Sequence, residues 1–227
     1  MRKLITETAS TIHSRLLEIG YRFKSREAVF SEIYYRNAFR GTESISGPGS
    51  SLEQTKTIRQ EIPKVIEELN VKSLLDAACG DFHWMKEMNL GIDKYIGADI
   101  VSDLIESNRE QYGSERTEFV ILNIVKSSLP SVDLILCRDC LIHFSFKDIF
   151  SALENFCRSN SKYLLTTTFI KQLKNVDIKT GRVRPINLSL PPFNFRGPIR
   201  IINEQCTEQN GKYSDKSLGL WKLDEIW

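Results

Sequence analysis

Long hydrophobic runs are absent from this chain of 227 residues, and no stretch approaches the roughly 20 apolar residues of a membrane-spanning helix. The charge is nearly balanced, since 31 Lys and Arg face 29 Asp and Glu without a marked basic run. A formal net charge of +2 is too small to indicate a nucleic-acid or membrane surface. The charged residues 1–7 lack the apolar stretch of a signal peptide. We therefore expect a cytoplasmic protein with no nucleic-acid or membrane partner.

Cysteine is scarce and odd in number. Cys137 and Cys140 have the spacing of a CxxC pair, but they continue a strand-like run and no second pair follows at zinc-site spacing. Carboxylates and histidines do not cluster as metal ligands would. We interpret the thiols as small buried side chains in a reducing compartment and predict no metal site. The five cysteines are Cys79, Cys137, Cys140, Cys157 and Cys206.

The length and composition suit one α/β domain with some elaboration. Hydrophobic residues make up 41% and charged residues 26% of the chain, as in ordinary soluble globular proteins. We expect a helical extension and a lid loop at residues 1–70. The α/β core should follow at 71–227, with a substrate-side insertion at 170–198, and both parts should form one compact domain.

The first 70 residues contain two helical patterns separated by a loop. Apolar positions at helical spacing cover residues 1 to about 40, and the Gly- and Pro-containing stretch 41–50 is a loop by composition. Ser51 and Gln54 have the spacing of a capping box and predict a helix start. Pro63 is expected to kink this helix or to open a new one.

Beyond residue 71, short apolar runs alternate with helical patterns. The runs are mostly continuous, as in a parallel sheet that helices cover on both faces. The sequence therefore predicts a doubly wound, mostly parallel, seven-stranded sheet. Strands are predicted at 73–77, 94–99, 118–122, 133–137, 163–168, 199–202 and 217–223. Helices are predicted at 82–88, 101–112 and 146–159.

Two of these runs end in an acid. Residues 75–81 (LDAACGD) place Asp76 before a small-residue turn in which Gly80 lets a ligand approach the backbone. Asp99 ends the next run 23 positions later, about the distance at which a strand–helix–strand unit presents a carboxylate to a ribose. Asn123 and Ile124 follow the third run, where an amide and an apolar side chain suit an adenine. The pattern indicates a nucleoside-bearing cofactor.

These segments resemble the class I S-adenosylmethionine-dependent methyltransferases over roughly residues 71–170. Residues 75–81 match that family's first motif, 96–100 its ribose-binding motif, and 133–139 its fourth strand. The resemblance implies a Rossmann-like fold, S-adenosyl-L-methionine as cofactor and S-adenosyl-L-homocysteine as product. Ala78 and Phe82 replace two glycines, and Phe82 crowds the place of a dinucleotide's pyrophosphate. The implied cofactor-binding residues are Asp76, Ala78, Cys79, Gly80, Asp81, Asp99, Ile100, Asn123, Ile124, Arg138 and Gln54.

The segment 137–144 (CRDCLIHF) should leave the fourth strand where the cofactor and the acceptor meet. His143 has a reference pKa near ~6.5, which suits a general base, and Asp139 lies four positions before it. We predict that His143 is the base and Asp139 its orienting partner, or the reverse. The alternatives are a packed histidine bonded to a carbonyl, and an Asp139 that caps a helix or pairs with Arg138. Arg138 itself suits a substrate anion or an ordinary ion pair.

Two further regions are candidates for the acceptor side. The loop 46–51 (SGPGSS) precedes a helix start and should close over the cofactor's carboxylate near Gln54, unless it is a mobile linker. Tyr35 and Arg36 should line the acceptor pocket, although Tyr35 also suits the core.

The long connection after the fifth strand adds Arg184, Phe193 and Asn194 as candidate substrate residues, because long connections are often functional. Arginine, asparagine and aromatic side chains suit a sugar or a phosphorylated small molecule. They equally suit a solvated loop whose phenylalanines enter the core.

Together these features predict methyl transfer to a hydroxyl of a small molecule, such as a sugar, nucleotide sugar or glycan precursor. The alternatives are N-methylation of a small amine or amide and a non-catalytic S-adenosylmethionine-binding regulator. The sequence leaves the oligomeric state open.

Overall fold

The computed structural model describes residues 24–227, and the helical pattern expected before residue 24 lies outside the described part. Four α-helices and several shorter helical turns are described. The helices are α1 (Arg26–Tyr35), α2 (Lys56–Glu68), α3 (Ser102–Tyr112) and α4 (Phe146–Arg158). The turns are Pro48–Ser50, Met85–Glu87, Leu141–His143, Glu208–Gly211 and Leu223–Glu225.

Seven strands form one sheet in the order β3-β2-β1-β4-β5-β7-β6. Strands β1 to β5 pair in parallel, whereas β7 runs antiparallel to both β5 and β6. This arrangement confirms the predicted mostly parallel, seven-stranded, Rossmann-like sheet. The strands are β1 (Ser73–Ala77), β2 (Lys94–Asp99), β3 (Thr117–Ile121), β4 (Leu134–Cys137), β5 (Tyr163–Phe169), β6 (Arg200–Asn203) and β7 (Lys216–Lys222).

The central strands are buried on both faces because helices cover both sides of the sheet. All four residues of β4 are buried. Leu74 and Leu75 point to opposite sides of β1 and are both fully buried, each in a different core cluster. Continuous apolar runs are therefore the expected pattern for these strands.

Helix α4 shows how one face of a helix is fixed to this sheet. Ser145 caps it, since the Ser145 Oγ accepts a 3.2 Å hydrogen bond from the Asp148 backbone N–H. Ile149, Leu153 and Phe156 recur at helical spacing and are fully buried.

Two predicted helices differ from the structure. Residues 82–88 form only the turn Met85–Glu87, because Phe82 adopts a left-handed backbone with φ of 57°. Helix α2 begins at Lys56 rather than after Ser51, and it continues through Pro63. Pro63 is half-buried, whereas its neighbour Ile62 is fully buried and anchors this part of the helix to the core.

The carboxyl ends of β1, β2, β3 and β4 meet at one edge of the sheet because these strands are parallel. The segment before α2 lies over this edge, where the Ser46 side chain contacts Asp81. Helix α1 also reaches it, since the Phe30 and Phe144 rings lie 5.8 Å apart. Within residues 24–227, none of the helices combines the length and the apolar character that crossing a membrane requires.

Candidate functional site

A cavity of about 400 Å³ opens at this edge of the sheet. Its volume lies within the range of roughly 300–1,000 Å³ that small-molecule sites occupy. The ends of β1, β2 and β4 form its floor, and side chains of α1 together with residues 45–50 form its opposite wall. The position agrees with the rule that open α/β sheets bind ligands outside the carboxyl ends of their strands.

Asp76 lies near the end of β1 and faces the cavity although it is only 3% exposed. Its Oδ2 accepts a 2.6 Å hydrogen bond from the Tyr95 hydroxyl. Burial raises the pKa of Asp76 to about 7, against the opposing effect of the Tyr95 hydrogen bond. The carboxyl group is thus poised to ionise near neutral pH and to receive a cationic ligand group.

Asp99 ends β2 and presents a second buried carboxylate to the same cavity. Its Oδ1 accepts from the Val101 backbone N–H at 3.0 Å, and its Oδ2 accepts from the Gly80 backbone N–H at 3.1 Å. Burial raises the pKa of Asp99, whereas these backbone hydrogen bonds oppose the rise. Each carboxylate oxygen has a second lone pair, so the group can accept two ligand hydroxyls.

Position 80 must be a glycine because the Ser46 side chain of the covering loop lies against its backbone. Its φ is 56°, and a Cβ at this position would lie only 2.2 Å from the Ser46 Oγ. The turn between β1 and the next segment can therefore meet residues 44–50 only if it has no side chain here. Ala78 and Cys79 flank this turn and also line the cavity.

One end of the cavity has apolar walls, formed by Ile100, Leu122 and Ile124. Asn123 lies there as well, but its side-chain amide is bonded within the protein. The Asn123 Nδ2 donates to the Glu27 Oε1 at 2.7 Å, and its Oδ1 accepts from the Val125 N–H at 3.0 Å. A flat aromatic ring would thus be held mainly by apolar contact.

Asp81 fastens the loop that covers the cavity. It accepts hydrogen bonds from the Ser44 hydroxyl and the Ile45 backbone N–H, both at 2.9 Å. Asp81 is absent from the described wall of this cavity, so its predicted contact with the cofactor is corrected to a contact with the loop. Residues 46–50 line the cavity, and their closure over the cofactor's carboxylate stays a prediction.

A buried ion cluster forms the other end of the cavity. Arg138 donates to both carboxylate oxygens of Glu204, at 3.2 and 2.7 Å, and to the Gly49 carbonyl at 2.8 Å. Lys216 pairs with Asp139 and, at 3.4 Å, with Glu204. Burial would lower the pKa of Arg138, but Glu204 and Asp139 raise it. Arg138 therefore serves an internal ion pair and a lid contact.

Asp139 is paired with cations rather than with His143. Burial alone would raise its pKa, but Lys216 and Arg138 lower it to about 2. The carboxylate is therefore ionised and neutralised by two neighbours. Asp139 was predicted to orient His143, or the reverse. No hydrogen bond is described between the two side chains, but the charge of Asp139 opposes the fall that burial causes in the pKa of His143.

His143 lies on the turn Leu141–His143 and faces the cavity. Its Nδ1 lies 3.0 Å from the Arg182 carbonyl oxygen. A carbonyl only accepts, so the proton sits on Nδ1 and the Nε2 lone pair is left for a ligand. Burial lowers the pKa of His143 to about 4. The ring is thus neutral and bonded to a backbone carbonyl, and its Nε2 can still accept a hydrogen bond from a ligand.

Three candidate residues lie away from the cavity because other side chains engage them. The Gln54 amide exchanges two hydrogen bonds with Thr207, at 2.7 and 3.1 Å. Tyr35 is 66% exposed and donates from its hydroxyl to Asp103. Arg36 pairs with Glu32 at 2.9 Å on the surface of α1.

The candidates of the long connection differ in whether they reach the cavity. Phe193 is buried against Phe146 and Phe150 in the core, and Asn194 is exposed and bonds to a neighbouring backbone carbonyl. Arg184 reaches the cavity wall, but its guanidinium donates to the carbonyls of residues 141, 142 and 144. Phe193 and Asn194 therefore lie away from the cavity, whereas the predicted substrate contact of Arg184 stays a prediction.

Sequence reasoning missed the cations and acids that the last strands supply. Lys216 opens β7, and Glu204 follows β6. A lysine at the start of an otherwise apolar strand was the available signal, because a buried lysine needs a paired acid. Tyr213 and Glu208 line the cavity beside Lys216.

Within residues 24–227, no group of three or more His, Cys, Asp or Glu is placed to hold a metal ion.

Comparisons with known proteins give a family-model match and several structures with a similar fold. Residues 75–165 match a protein-family model described as a methyltransferase domain. The structure is similar to the N-methyltransferase NodS from Bradyrhizobium japonicum WM9, with a TM-score of 0.57 and 10% identity over 75% of this chain and 96% of that chain.

Two further solved structures have the same fold. Magnesium protoporphyrin IX methyltransferase from Synechocystis PCC 6803 gives a TM-score of 0.58 and 13% identity over 88% of this chain and 98% of that one. Human N-acetylserotonin methyltransferase gives a TM-score of 0.57 and 13% identity over 88% of this chain and 60% of that one. A search of the curated proteins found no significant match. Residues 75–165 therefore match a methyltransferase-domain model, and the chain has the Rossmann-like methyltransferase fold.

Proposed function

We propose that this protein is an S-adenosylmethionine-dependent methyltransferase that methylates a hydroxyl group of a small molecule, such as a sugar, nucleotide sugar or glycan precursor. The main observation in favour of this cofactor is a pair of buried carboxylates. Asp76 and Asp99 lie at the ends of two neighbouring strands and line the same cavity. The methyltransferase-domain match over residues 75–165 supports it independently. Two of the solved structures with this fold contain S-adenosylmethionine, which is consistent with the proposal.

The described residues fit that cofactor. In this proposal Asp99 accepts the ribose hydroxyls, and the apolar side chains of Ile100, Leu122 and Ile124, which line the same cavity, contact the adenine. Asp76 can receive the ammonium of the methionine part once it is ionised. When bound, S-adenosylmethionine supplies a methyl group on a positively charged sulfur.

His143 supports a hydroxyl as the acceptor. His143 lines the cavity, and the Arg182 carbonyl engages its Nδ1, so Nε2 is the ring nitrogen that can take the hydroxyl proton. A pKa of about 4 makes His143 a weak base, and alignment of the reacting groups must then supply much of the rate.

The low pKa of His143 also supports a second candidate, N-methylation of a small amine or amide. A neutral amine carries its own lone pair and needs no strong base for the attack. The fold likeness to an N-methyltransferase is compatible with either acceptor.

Calorimetry with S-adenosylmethionine, S-adenosylhomocysteine and NAD tests the cofactor. We expect the first two to bind and NAD not to bind. Asp99→Ala should weaken binding at least about tenfold, because charge-assisted hydrogen bonds contribute roughly 1.5–3 kcal/mol. Asp93→Ala, at an exposed position before β2, is the control. Binding of NAD alone would overturn the proposal.

Transfer of a radiolabelled methyl group to panels of sugars, nucleotide sugars and amines tests the acceptor. His143→Ala should lower hydroxyl methylation by roughly 10²–10⁴-fold and leave cofactor affinity unchanged, since a general base contributes about that factor. His83→Ala, outside the described cavity wall, is the control. Amine methylation that survives His143→Ala would select the second candidate. Tight cofactor binding without turnover on any acceptor would indicate a regulator.

A further inference from the structure

Residues 170–183, here called the rim segment, expose aliphatic side chains beside the cavity. Leu173 is 92% exposed, Val183 62%, Val176 57% and Ile170 45%. Val183 also lines the cavity, so the segment forms part of its mouth. Single exposed aliphatic residues are ordinary, but four within one short segment are typical of an interaction surface.

Buried polar side chains hold the rim segment from beneath. The Asn187 Nδ2 donates to the Gln172 carbonyl at 3.2 Å, and the Asn175 Nδ2 donates to the Asn187 carbonyl at 2.9 Å. The Arg184 Nε donates to the Val176 carbonyl at 3.2 Å. Asn175, Arg184 and Asn187 are all buried. Buried polar side chains thus hold the backbone of the segment, while its aliphatic side chains point outward.

Cations alternate with these aliphatic side chains. The rim segment contains Lys171, Lys174, Lys179 and Arg182 but only one acid, Asp177. Asp177 is engaged with the Phe146 and Ile178 backbone N–H groups. Two acids outside the segment contact it: Asp148 accepts from the Thr180 hydroxyl at 2.5 Å and is paired with Arg26, and Asp215 accepts from the Lys171 backbone N–H at 2.9 Å. Four cations against one acid give the rim segment itself a net positive charge.

We propose that the rim segment docks on the surface of an anionic lipid bilayer. Leu173 and Val176 enter the head-group region, while Lys171 and Lys174 contact the lipid phosphates. Protruding aliphatic groups among lysines suit such a surface, because both apolar burial and charge attraction contribute to binding. A protein partner fits less well, since lysine is depleted in the cores of protein interfaces.

Docking in this orientation turns the mouth of the cavity toward the bilayer. The Arg182 carbonyl that fixes His143 belongs to the rim segment, as does Gly181, whose N–H donates to the His143 carbonyl at 2.8 Å. An acceptor carried in the bilayer would therefore reach the cavity directly. The docking surface goes beyond the proposed methyl transfer, and its test needs no acceptor.

Flotation of the full chain with vesicles tests the proposal. We expect binding to phosphatidylcholine vesicles that contain phosphatidylglycerol, weak binding to phosphatidylcholine alone, and release at high salt. Leu173→Ser with Val176→Ser, and separately Lys171→Glu with Lys174→Glu, should each weaken binding about tenfold or more. Ile121→Ser and Lys64→Glu with Lys72→Glu are matched controls, because these exposed residues lie on other parts of the described surface.

Absence of binding to the anionic vesicles at low salt would overturn the proposal. Equal loss in the test and control charge variants would also overturn it, because the attraction would then be non-specific. Analytical sedimentation tests the alternative that a second copy of this chain binds the rim segment. If the wild-type chain dimerises and Leu173→Ser with Val176→Ser makes it monomeric, the rim segment is a contact between copies and the bilayer assignment is wrong. Calorimetry with S-adenosylhomocysteine on each variant reports separately on the cofactor site.

Discussion

The Tyr95 hydroxyl sets how readily Asp76 ionises in the cavity. It donates a 2.6 Å hydrogen bond to the Asp76 Oδ2 in a buried region. Burial raises the pKa of Asp76 to about 7, and the Tyr95 hydrogen bond limits that rise. Since a cationic ligand group needs the ionised carboxylate, the proposed cofactor should bind more weakly as the pH falls below about 7.

Tyr95→Phe removes this hydrogen bond and should raise the pKa of Asp76 further. The pH at which affinity for S-adenosylmethionine is half lost should therefore move upward relative to the wild type. Calorimetric titrations between about pH 6 and 9 measure this midpoint. Tyr163→Phe, at the opposite end of the sheet, controls for loss of a tyrosine hydroxyl. An unchanged midpoint in Tyr95→Phe would contradict the role assigned to this hydrogen bond.

At the same scale, the sequence predicted the floor of the site better than its far end. Asp76 and Asp99 were predicted to share one site because parallel strands end at one edge. Lys216 and Glu204 were not found, because β7 inserts antiparallel between β5 and β6 and only tertiary pairing brings them to Arg138. Phe193 was misplaced because an aromatic residue in a long connection carries no local sign of whether it packs inward.

At the scale of elements, local patterns predicted the strands well. The predicted bounds of β1 and β2 agree with the structure, and the other strands differ by about one residue at their ends. Continuous apolar runs allow this precision, because each run is the buried strand itself. The predicted helix at 82–88 was wrong: Phe82 has a left-handed backbone, and its ring packs against Tyr95 and Phe119, contacts between distant elements that a local pattern does not reveal.

The lid is the element whose attachment can be weakened selectively. Asp81 holds it through the Ser44 hydroxyl and the Ile45 N–H, outside the core of the sheet. Asp81→Asn removes the charge that strengthens both bonds, so the Ile45 amide should exchange its hydrogen roughly tenfold faster or more. Hydrogen-exchange mass spectrometry over residues 43–51 measures this change.

The overall stability of the Asp81→Asn variant should change little, because both bonds lie in one covering loop. Asp93→Asn, at an exposed position on the amino side of β2, should leave exchange in the lid unchanged. Lid amides that exchange at the wild-type rate in Asp81→Asn would show that the loop is held by other contacts, such as the Arg138 bond to the Gly49 carbonyl.

At the scale of the whole molecule, the cavity is maintained at a cost in stability. Asp76 has a folded-state pKa of about 7 against an ordinary value of 3.8. The unfolded chain therefore releases this proton more readily than the folded chain. Linkage then requires the free energy of unfolding to fall as the pH rises from about 4 to about 7, and to level off above that.

Asp76→Asn removes the titrating group while keeping a side chain of similar size. From pH 5 to pH 8 the free energy of unfolding of the wild type should fall by about 2–3 kcal/mol because of Asp76, and the variant should not show this fall. Urea unfolding at both pH values measures this difference, since the other titrating groups are common to both proteins. The variant should also bind S-adenosylmethionine poorly, because an amide cannot balance a ligand cation.

Asp133→Asn is a control, because Asp133 should change stability with pH in the direction opposite to Asp76. Burial alone would raise the pKa of Asp133, but Lys162 and the hydrogen bonds from Lys72 and Ser73 lower it to about 2. Its ionised form therefore stabilises the fold above about pH 4, so this variant should be less stable than the wild type at pH 8, and the difference should shrink as the pH falls toward 2. If Asp76→Asn instead shows the same loss between pH 5 and 8 as the wild type, Asp76 is already ionised in the folded protein. The cavity would then hold a permanent carboxylate, and the cofactor would bind with no dependence on this proton.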